Sequence, residues 1–367
     1  MKRTILLTLA LLMAAGMVFA TGQGEGGAID IGIAMPETHV ERWQRDGAAL
    51  LEGAQEAGYS AEVTYGDADQ GQQNEQIQNF ITKGAKVLIV GNINEGVNSV
   101  ISEAAEEGII VIAYDRLITG SDDYNYYITF DNFKVGEFQG QAIADALDLD
   151  GASSSDPKYI TLFAGSPTDN NANFFFDGAM SILRPYVEDG VLEVVGPAPM
   201  DSSSPEFTRI ATENWRAEVA KARMENLLSN AALNVTLDAV LAPNDTLARA
   251  IIEALSADAK YDTTEDLPVV TGQDAELASV KMIRDGEQHM TVFKDTRDLA
   301  AGAVALADAL LQGEETPDIA GARLDTETYD TGLKVVNSYL LEPVRVTDEN
   351  WREVMVESGY YSADEFE

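Results

Sequence analysis

Val87-Leu-Ile-Val90 and Ile109-Ile-Val-Ile-Ala113 are short, almost entirely apolar runs rich in β-branched residues, and they decide the fold. Runs of this kind are typical of strands that are buried on both faces, as in a parallel sheet covered by helices on both sides. Other such runs lie before and after them, and segments with helical spacing lie in between. The pattern therefore predicts an α/β fold.

The alternation of strand and helix continues in both directions along the chain. In Glu41–Ala57, Trp43, Leu50 and Ala54 lie on one helical face, and Ala300–Leu311 has the same spacing. Such alternation predicts parallel sheets with right-handed crossovers, here as two doubly wound domains. The predicted strands are Ile29–Pro36, Ala61–Tyr65, Lys86–Gly91, Ile109–Asp115, Tyr126–Asp131, Tyr159–Ala164, Val191–Gly196, Ala239–Asn244, Pro268–Asp274 and Met290–Asp295.

Composition excludes several classes of function. The 367 residues include 62 acidic and 24 basic residues, for a net charge of −38, which opposes binding to nucleic acid or to an anionic membrane surface. The absence of cysteine excludes disulfides, thiolate metal sites and cysteine nucleophiles. Because His39 and His289 are the only histidines, we expect neither a metal site nor a cofactor.

The first residues have the pattern of a targeting segment. Lys2 and Arg3 precede an apolar run that ends at Val18-Phe19-Ala20, which predicts a secretory signal peptide over residues 1–20. The alternative, an uncleaved membrane anchor, is less favoured because the run is short for a span. The Gly-rich residues 21–28 precede the first strand, so we interpret them as a flexible spacer rather than as a phosphate loop.

Polar and aromatic side chains follow the predicted strands, at the sheet edge where α/β proteins bind ligands. Together they provide carboxylates, guanidiniums, amides, an ammonium group and indoles. Sugar hydroxyls both donate and accept hydrogen bonds, and the C–H faces of a sugar ring suit an aromatic surface. The set therefore indicates a site for a neutral sugar. Asp115 is expected to pair with Arg116, and Asp274 with Lys294.

Several sequence blocks, taken in order, carry a family resemblance. They are Ala34-Met35-Pro36, Glu41-Arg42-Trp43-Gln44, Ile112-Ala113-Tyr114-Asp115-Arg116, Thr129-Phe130-Asp131-Asn132, Gly165-Ser166-Pro167-Thr168-Asp169-Asn170-Asn171-Ala172, Asn244-Asp245, Gly272-Gln273-Asp274-Ala275 and Thr291-Val292-Phe293-Lys294. From Ile29 to the C-terminus, the chain resembles the periplasmic xylose- and multiple-monosaccharide-binding proteins of ABC sugar importers, which are type I periplasmic binding proteins.

The resemblance implies a fold, a site and partners. Two Rossmann-like lobes, 29–132 plus 275–325 and 133–274 plus 326–367, would be joined by a three-segment hinge. Between them they would capture an aldopentose or aldohexose in the periplasm and deliver it to an ABC permease, the protein being a monomer. The resemblance leaves open a chemoreceptor or sensor kinase as a second partner. The sugar contacts carried over by position are Arg42, Trp43, Asp115, Arg116, Asn171, Trp215, Asn244, Asp274 and Lys294.

One alternative function remains at this point. A secreted sugar-modifying enzyme could use Asp115 and Asp274 as paired carboxylates, although a cationic neighbour would keep each ionised, the wrong state for a general acid. Within the motifs, Asp245 precedes a helical segment and is interpreted as a helix N-cap rather than as a ligand. Asp131 and Asn132 also precede a helix and are interpreted as caps or hinge residues.

Overall fold

The computed structural model describes residues 27–230, 235–261 and 263–367. The predicted signal peptide and most of the predicted spacer, residues 1–26, lie outside the described residues. The strands are β1 Ile31–Met35, β2 Ala61–Tyr65, β3 Val87–Val90, β4 Ile110–Tyr114, β5 Tyr126–Phe130, β6 Lys158–Leu162, β7 Leu192–Val194, β8 Ala239–Leu241, β9 Val269–Val270, β10 Thr291–Phe293, β11 Ala322–Asp325, β12 Asn337–Leu341 and β13 Val344–Val346.

The helices lie between these strands, as the alternating pattern predicts. They are α1 Arg42–Glu56, α2 Gln70–Thr82, α3 Asn98–Glu106, α4 Asn132–Ala146, α5 Asn170–Glu188, α6 Phe207–Ile210, α7 Ala217–Leu228, α8 Asp245–Ser256, α9 Leu277–Arg284 and α10 Thr296–Leu311. None of the helices in the described part of the chain is both long and apolar enough to cross a bilayer.

Two parallel sheets form the cores of two lobes. The first sheet has the order β11-β12-β5-β4-β3-β1-β2, in which only the edge strand β11 is antiparallel to its neighbour. The second has the order β7-β6-β8-β9, all parallel, and β10 pairs with β13 beside it. All ten predicted strands are present, and the prediction of two doubly wound lobes is confirmed.

The chain crosses between the lobes at three points. After β5 it enters α4, which packs against α5, β8 and β10 of the second lobe. After β10 it enters α10, which packs against α1 and β5 of the first lobe. It returns at residues 342–343, between β12 in the first sheet and β13 beside the second.

These crossings differ from the predicted boundaries at two places. We expected residues 275–325 in the first lobe, but α9 and β10 belong to the second, where the Asp274 amide donates to the Val292 carbonyl (2.8 Å). We expected residues 326–367 in the second lobe, but β12 lies in the first sheet next to β5. β12 forms a parallel pair with β5, and most of its side chains are buried. It therefore belongs to the core of the first lobe.

The end of the chain packs on the second lobe. A π-helical turn, Arg352–Glu357, lies near the C-terminus and buries Met355. Trp351 packs against Phe366, with ring centroids 4.8 Å apart and the rings tilted by 45°.

Helices α4 and α5 cross at unusually short range because glycines lie at the crossing. A Cβ on Gly136 would lie 2.0 Å from the Phe175 carbonyl oxygen, and one on Gly178 would lie 2.1 Å from the carbonyl oxygen of Phe133. The crossing fixes α5, which begins at the ligand-binding edge of the sheet, against α4, which begins at the first crossing point.

Gly136→Ala should lower the free energy of unfolding by at least about 2 kcal/mol, because the contacting atoms belong to the backbone and cannot move aside. Thermal or urea unfolding measures the change. The matched control is Gly53→Ala in α1, where the nearest atom, Val304 Cγ2, would lie at an ordinary 3.5 Å. That variant should be neutral or slightly stabilised. Equal stability of the two variants would contradict the close crossing.

Candidate functional site

All nine predicted site residues line one cavity between the lobes, with about 290 Å³ of empty space including its opening. Both lobes contribute, and the cleft is closed over the cavity, since Trp43 is 2% exposed and Trp215 5%. The lining residues are Val40, Arg42, Trp43, Asp115, Arg116, Asp169, Asn171, Phe175, Trp215, Asn244, Gln273, Asp274 and Lys294.

Arg42 links carboxylates from both lobes. It is the first residue of α1 and is buried. Its Nε donates to Asp46 Oδ2 one helical turn later (2.9 Å), and its Nη1 lies 2.6 Å from Asp115 Oδ1. The same nitrogen lies 3.6 Å from Asp274 Oδ1 of the second lobe. The guanidinium is therefore fixed by its own helix and directed into the cavity.

Lys294 completes this charged group. Its Nζ lies 3.0 Å from Asp274 Oδ1, which confirms the predicted pair, and 3.9 Å from Asp115 Oδ1. The predicted pairing of Asp115 with Arg116 is wrong, because the closest cation to Asp115 is Arg42. The side chain of Arg116 points the other way.

Arg116 lies between two other acidic residues. Its Nη2 donates to Glu37 Oε1 (2.9 Å), and its Nε lies 3.0 Å from Asp169 Oδ2 in the second lobe. The guanidinium also lies over the Trp43 ring, 4.9 Å from its centroid. Arg116 therefore supports an aromatic wall of the cavity as well as lining it.

The two cavity tryptophans pack against strand-end glycines. A Cβ on Gly91 would lie 3.1 Å from Trp43 Cζ3, and one on Gly165 would lie 2.0 Å from Trp215 Cη2. Trp43 belongs to the first lobe and Trp215 to the second. Trp215 is fixed further by its Nε1, which donates to Asp169 Oδ2 (3.1 Å). Glycine at these positions leaves room for an indole from each lobe beside the cavity.

Three site residues have a left-handed backbone conformation. Asp115 has φ 59°, Trp215 φ 54° and Asp274 φ 91°. Residues other than glycine rarely adopt such angles, and they persist only where surrounding contacts hold them. Strain of this kind is concentrated at functional sites.

The two amide residues of the set also have structural roles. Asn171 Nδ2 donates to the Asp115 carbonyl (2.7 Å), and its Oδ1 accepts from Asn132 Nδ2 (2.9 Å). Asn244 Oδ1 accepts from the Leu247 amide (3.0 Å) and is the N-cap of α8.

Of the two predicted caps, one is correct. Asp131 accepts from the Lys134 amide (3.1 Å) as the N-cap of α4. The prediction that Asp245 is a cap is wrong: Asn244 is the cap, and Asp245 is the first helical residue, with its carboxylate turned toward a neighbouring loop.

Cations keep the central carboxylate ionised. Burial on its own would raise the pKa of Asp115, but Arg42, Lys294 and Arg116 outweigh it and lower the pKa below its usual value. Burial alone would likewise lower the pKa of Arg42, yet Asp115, Asp46 and Asp274 raise it well above its ordinary value. An ionised Asp115 can accept hydrogen bonds but cannot act as a general acid.

Four residues that line the cavity are not among the nine predicted ones: Val40, Asp169, Phe175 and Gln273. Asp169 precedes a helix and resembles an ordinary cap, which it also is, since it accepts from the Asn171 amide (3.0 Å). Gln273 precedes Asp274 in a quoted motif, and Phe175 lies one turn after Asn171. Gln273 could have been found from its place shortly after β9, and Asp169 from its place in the motif from Gly165 to Ala172; Val40 and Phe175 had no such signal.

Some polar atoms at the site are buried without a hydrogen-bond partner among the described residues. These atoms include Arg42 Nη2 and Gln273 Oε1. Buried polar groups are nearly always paired, so this donor and this acceptor indicate a polar ligand. Among the residues described, no group of His, Asp and Glu side chains is arranged to hold a metal ion.

Known periplasmic binding proteins are similar to this chain along its whole length. Residues 31–315 match the family model described as periplasmic binding protein domain. The chain is 45% identical over 371 residues to the multiple sugar-binding periplasmic receptor ChvE of Rhizobium radiobacter, covering 100% of this chain and 99% of the relative. It is 37% identical over 338 residues to the D-xylose-binding periplasmic protein of Escherichia coli (strain K12), covering 92% of each.

A solved structure shows the same architecture. An ABC transporter solute-binding protein from Clostridium phytofermentans, with bound β-D-glucose, superposes with a TM-score of 0.83 at 41% identity. The match covers 92% of this chain and 99% of that one. With this fold, and with a family model that matches most of its length, the chain belongs to the periplasmic binding protein family.

Proposed function

We propose that this protein captures a monosaccharide between its two lobes in the periplasm and delivers it to an ABC permease. The ligand would be an aldopentose or aldohexose such as xylose, glucose, galactose or arabinose. The observation that carries the proposal is the convergence of six charged groups, amides and two indoles on one small, closed cavity. Relatives named for sugar binding support it.

Each chemical group of the site would have a part in holding the sugar. Asp115 and Asp274 would accept from hydroxyls, while Arg42 and Lys294 would donate to them. The two indoles would cover the ring from opposite lobes. The three acidic and three basic side chains of the cavity balance, which suits an uncharged ligand.

Closure of the two lobes would hold the sugar and at the same time produce the form that a partner protein recognises. Arg116 of the first lobe meets Asp169 of the second, and His39 Nε2 lies 3.1 Å from the carbonyl oxygen of Asn214. A sugar that contacts both lobes stabilises this closed form, which is a shift of population. The permease would recognise the closed outline, and a chemoreceptor or sensor kinase could read the same form. The protein would act as a monomer.

Export would precede binding. The relatives are periplasmic by name, and we propose that the signal peptide is cleaved after Ala20. The enzyme alternative has no support, because the relatives are named as binding proteins and receptors and Asp115 is held ionised.

Intrinsic fluorescence tests the proposal. Titration with xylose, glucose, galactose and arabinose should change the emission with at least one of them, because Trp43 and Trp215 line the cavity. Trp215→Phe should lose the part of the change that Trp215 contributes and keep the part from Trp43. The matched control is Trp351→Phe, which should keep the whole change, since Trp351 packs on Phe366 at the C-terminus.

Two results would contradict the proposal. The first is a wild-type protein whose emission and heat of mixing respond to none of the four sugars. The second is conversion of the bound sugar: after prolonged incubation the sugar should be recovered intact, and a product would favour the enzyme.

A further inference from the structure

The carboxylate of Asp245 lies behind the cavity and is fully buried. It accepts hydrogen bonds from the Glu276 amide (2.9 Å), Gln288 Nε2 (2.8 Å) and Thr291 Oγ1 (2.9 Å). The backbone amide of Asp245 also donates to the Gln273 carbonyl (3.0 Å). One residue therefore binds both ends of the turn from Gln273 to Glu276.

This turn contains two consecutive strained residues. Asp274 has φ 91° and Ala275 φ 48°, so both lie in the left-handed region. Residues other than glycine are strained in this region and persist there only if neighbours hold them. The Thr291 hydroxyl that donates to Asp245 also accepts from the Ala275 amide (3.2 Å), which extends the support to the middle of the turn.

The space around the Asp245 carboxylate is tightly filled. A Cβ on Gly272 would lie 2.1 Å from Asp245 Oδ1. No residue larger than glycine could therefore precede the turn without displacing Asp245. The carboxylate does not line the cavity, whereas Gln273 and Asp274 do.

We propose that Asp245 is a positioning residue for the sugar site, which holds the strained turn and thereby sets where the Asp274 carboxylate lies. The inference rests on the proposed function for its consequence in binding, but not for the geometry of the turn. Asp274 must lie close to Lys294 (3.0 Å) and Arg42 (3.6 Å) to present its oxygens to a ligand. Without Asp245, the turn would relax and this carboxylate would move.

The first test needs no ligand. In Asp245→Ala, the amide of Glu276 should exchange with deuterium at least about tenfold faster, since it loses its acceptor. Burial raises the pKa of Asp245 well above its ordinary value, and alanine removes the acceptor in either protonation state. The matched control is Asp238→Ala, which also loses an acceptor for a backbone amide, that of Tyr159 (2.8 Å). Asp238 precedes β8, at the opposite end of that strand, so exchange at Glu276 should not change.

The second test uses glucose and its monodeoxy analogues. In Asp245→Ala, affinity for glucose should fall about tenfold, but affinity for the analogue that lacks the hydroxyl held by Asp274 should fall much less. Thr291→Val, which keeps the shape of the core, should change the same ratio in the same direction. A purely structural role would lower all the affinities equally.

The outcomes are separable. Unchanged exchange at Glu276, or an equal loss of affinity for every analogue, would overturn the role of Asp245. If the wild-type protein bound neither glucose nor its analogues, the proposed ligand would be wrong, and the exchange measurement would still decide whether Asp245 holds the turn.

Discussion

Replacing Lys294 by alanine is expected to lower the affinity for the captured monosaccharide by roughly 100-fold or more. The substitution removes the only lysine of the cavity lining and leaves Asp274 without the ammonium group 3.0 Å away. The sugar would lose a donor, and Asp274 would keep only Arg42, 3.6 Å away, among the described ion pairs. Isothermal titration with the best sugar of the fluorescence panel measures the loss.

The control for Lys294 is Lys281→Ala. Lys281 lies on α9 of the same lobe and does not line the cavity. Its removal changes the net charge by the same amount and should leave the affinity unchanged. A Lys294→Ala protein that kept a native circular dichroism spectrum and full affinity would remove Lys294 from the site.

Replacing Arg42 by methionine is expected to destabilise the fold as well as to abolish capture. The guanidinium neutralises Asp46, which is fully buried and has no other cation among the described ion pairs. Breaking a buried pair in this way costs about 3–5 kcal/mol, because the remaining carboxylate must either keep an uncompensated charge or take up a proton. Burial already raises the pKa of Asp46. Urea unfolding without sugar measures the cost, and titration measures the loss of binding.

Arg45→Met is the matched control for Arg42. Arg45 lies one turn further along α1, is about one-third exposed and pairs with Glu41 (3.2 Å). Surface pairs of this kind contribute at most about 1 kcal/mol. If the two variants unfolded at the same urea concentration, the buried network around Arg42 would not be what stabilises the first lobe.

The fold was predictable where continuous apolar runs mark buried strands. The apolar runs of β3 and β4 are short and rich in β-branched residues, which favours strands buried on both faces over buried helices. β11 could not be found this way, because Ala322-Arg-Leu-Asp325 is a partly exposed edge strand without an apolar run. The second crossing was misplaced because Asp274 and Lys294 both follow strands, and sequence alone does not say which strand is the last in its lobe.

The site was predictable to the level of which residues converge, but not of how they pair. Position after a strand brings side chains to one edge, and all nine lie around the cavity; their contacts with a sugar stay a prediction. Pairing depends on side-chain direction, which the positive φ of Asp115 changes. That angle turns Asp115 toward Arg42, while its sequence neighbour Arg116 reaches Glu37 and Asp169. Asp245 was misread for a similar reason, since caps are recognised by spacing and Asn244 satisfies the same spacing.

The three crossings determine what kind of motion can open the cleft. Asp131 and Asp295 are the N-caps of α4 and α10, so the helical hydrogen bonds begin directly after each crossing. The third crossing is equally short, with only residues 342–343 between β12 and β13. The short crossings therefore leave only a few backbone dihedrals between the lobes that can rotate. We expect the lobes to move apart as rigid bodies, without unwinding a helix or sliding a strand.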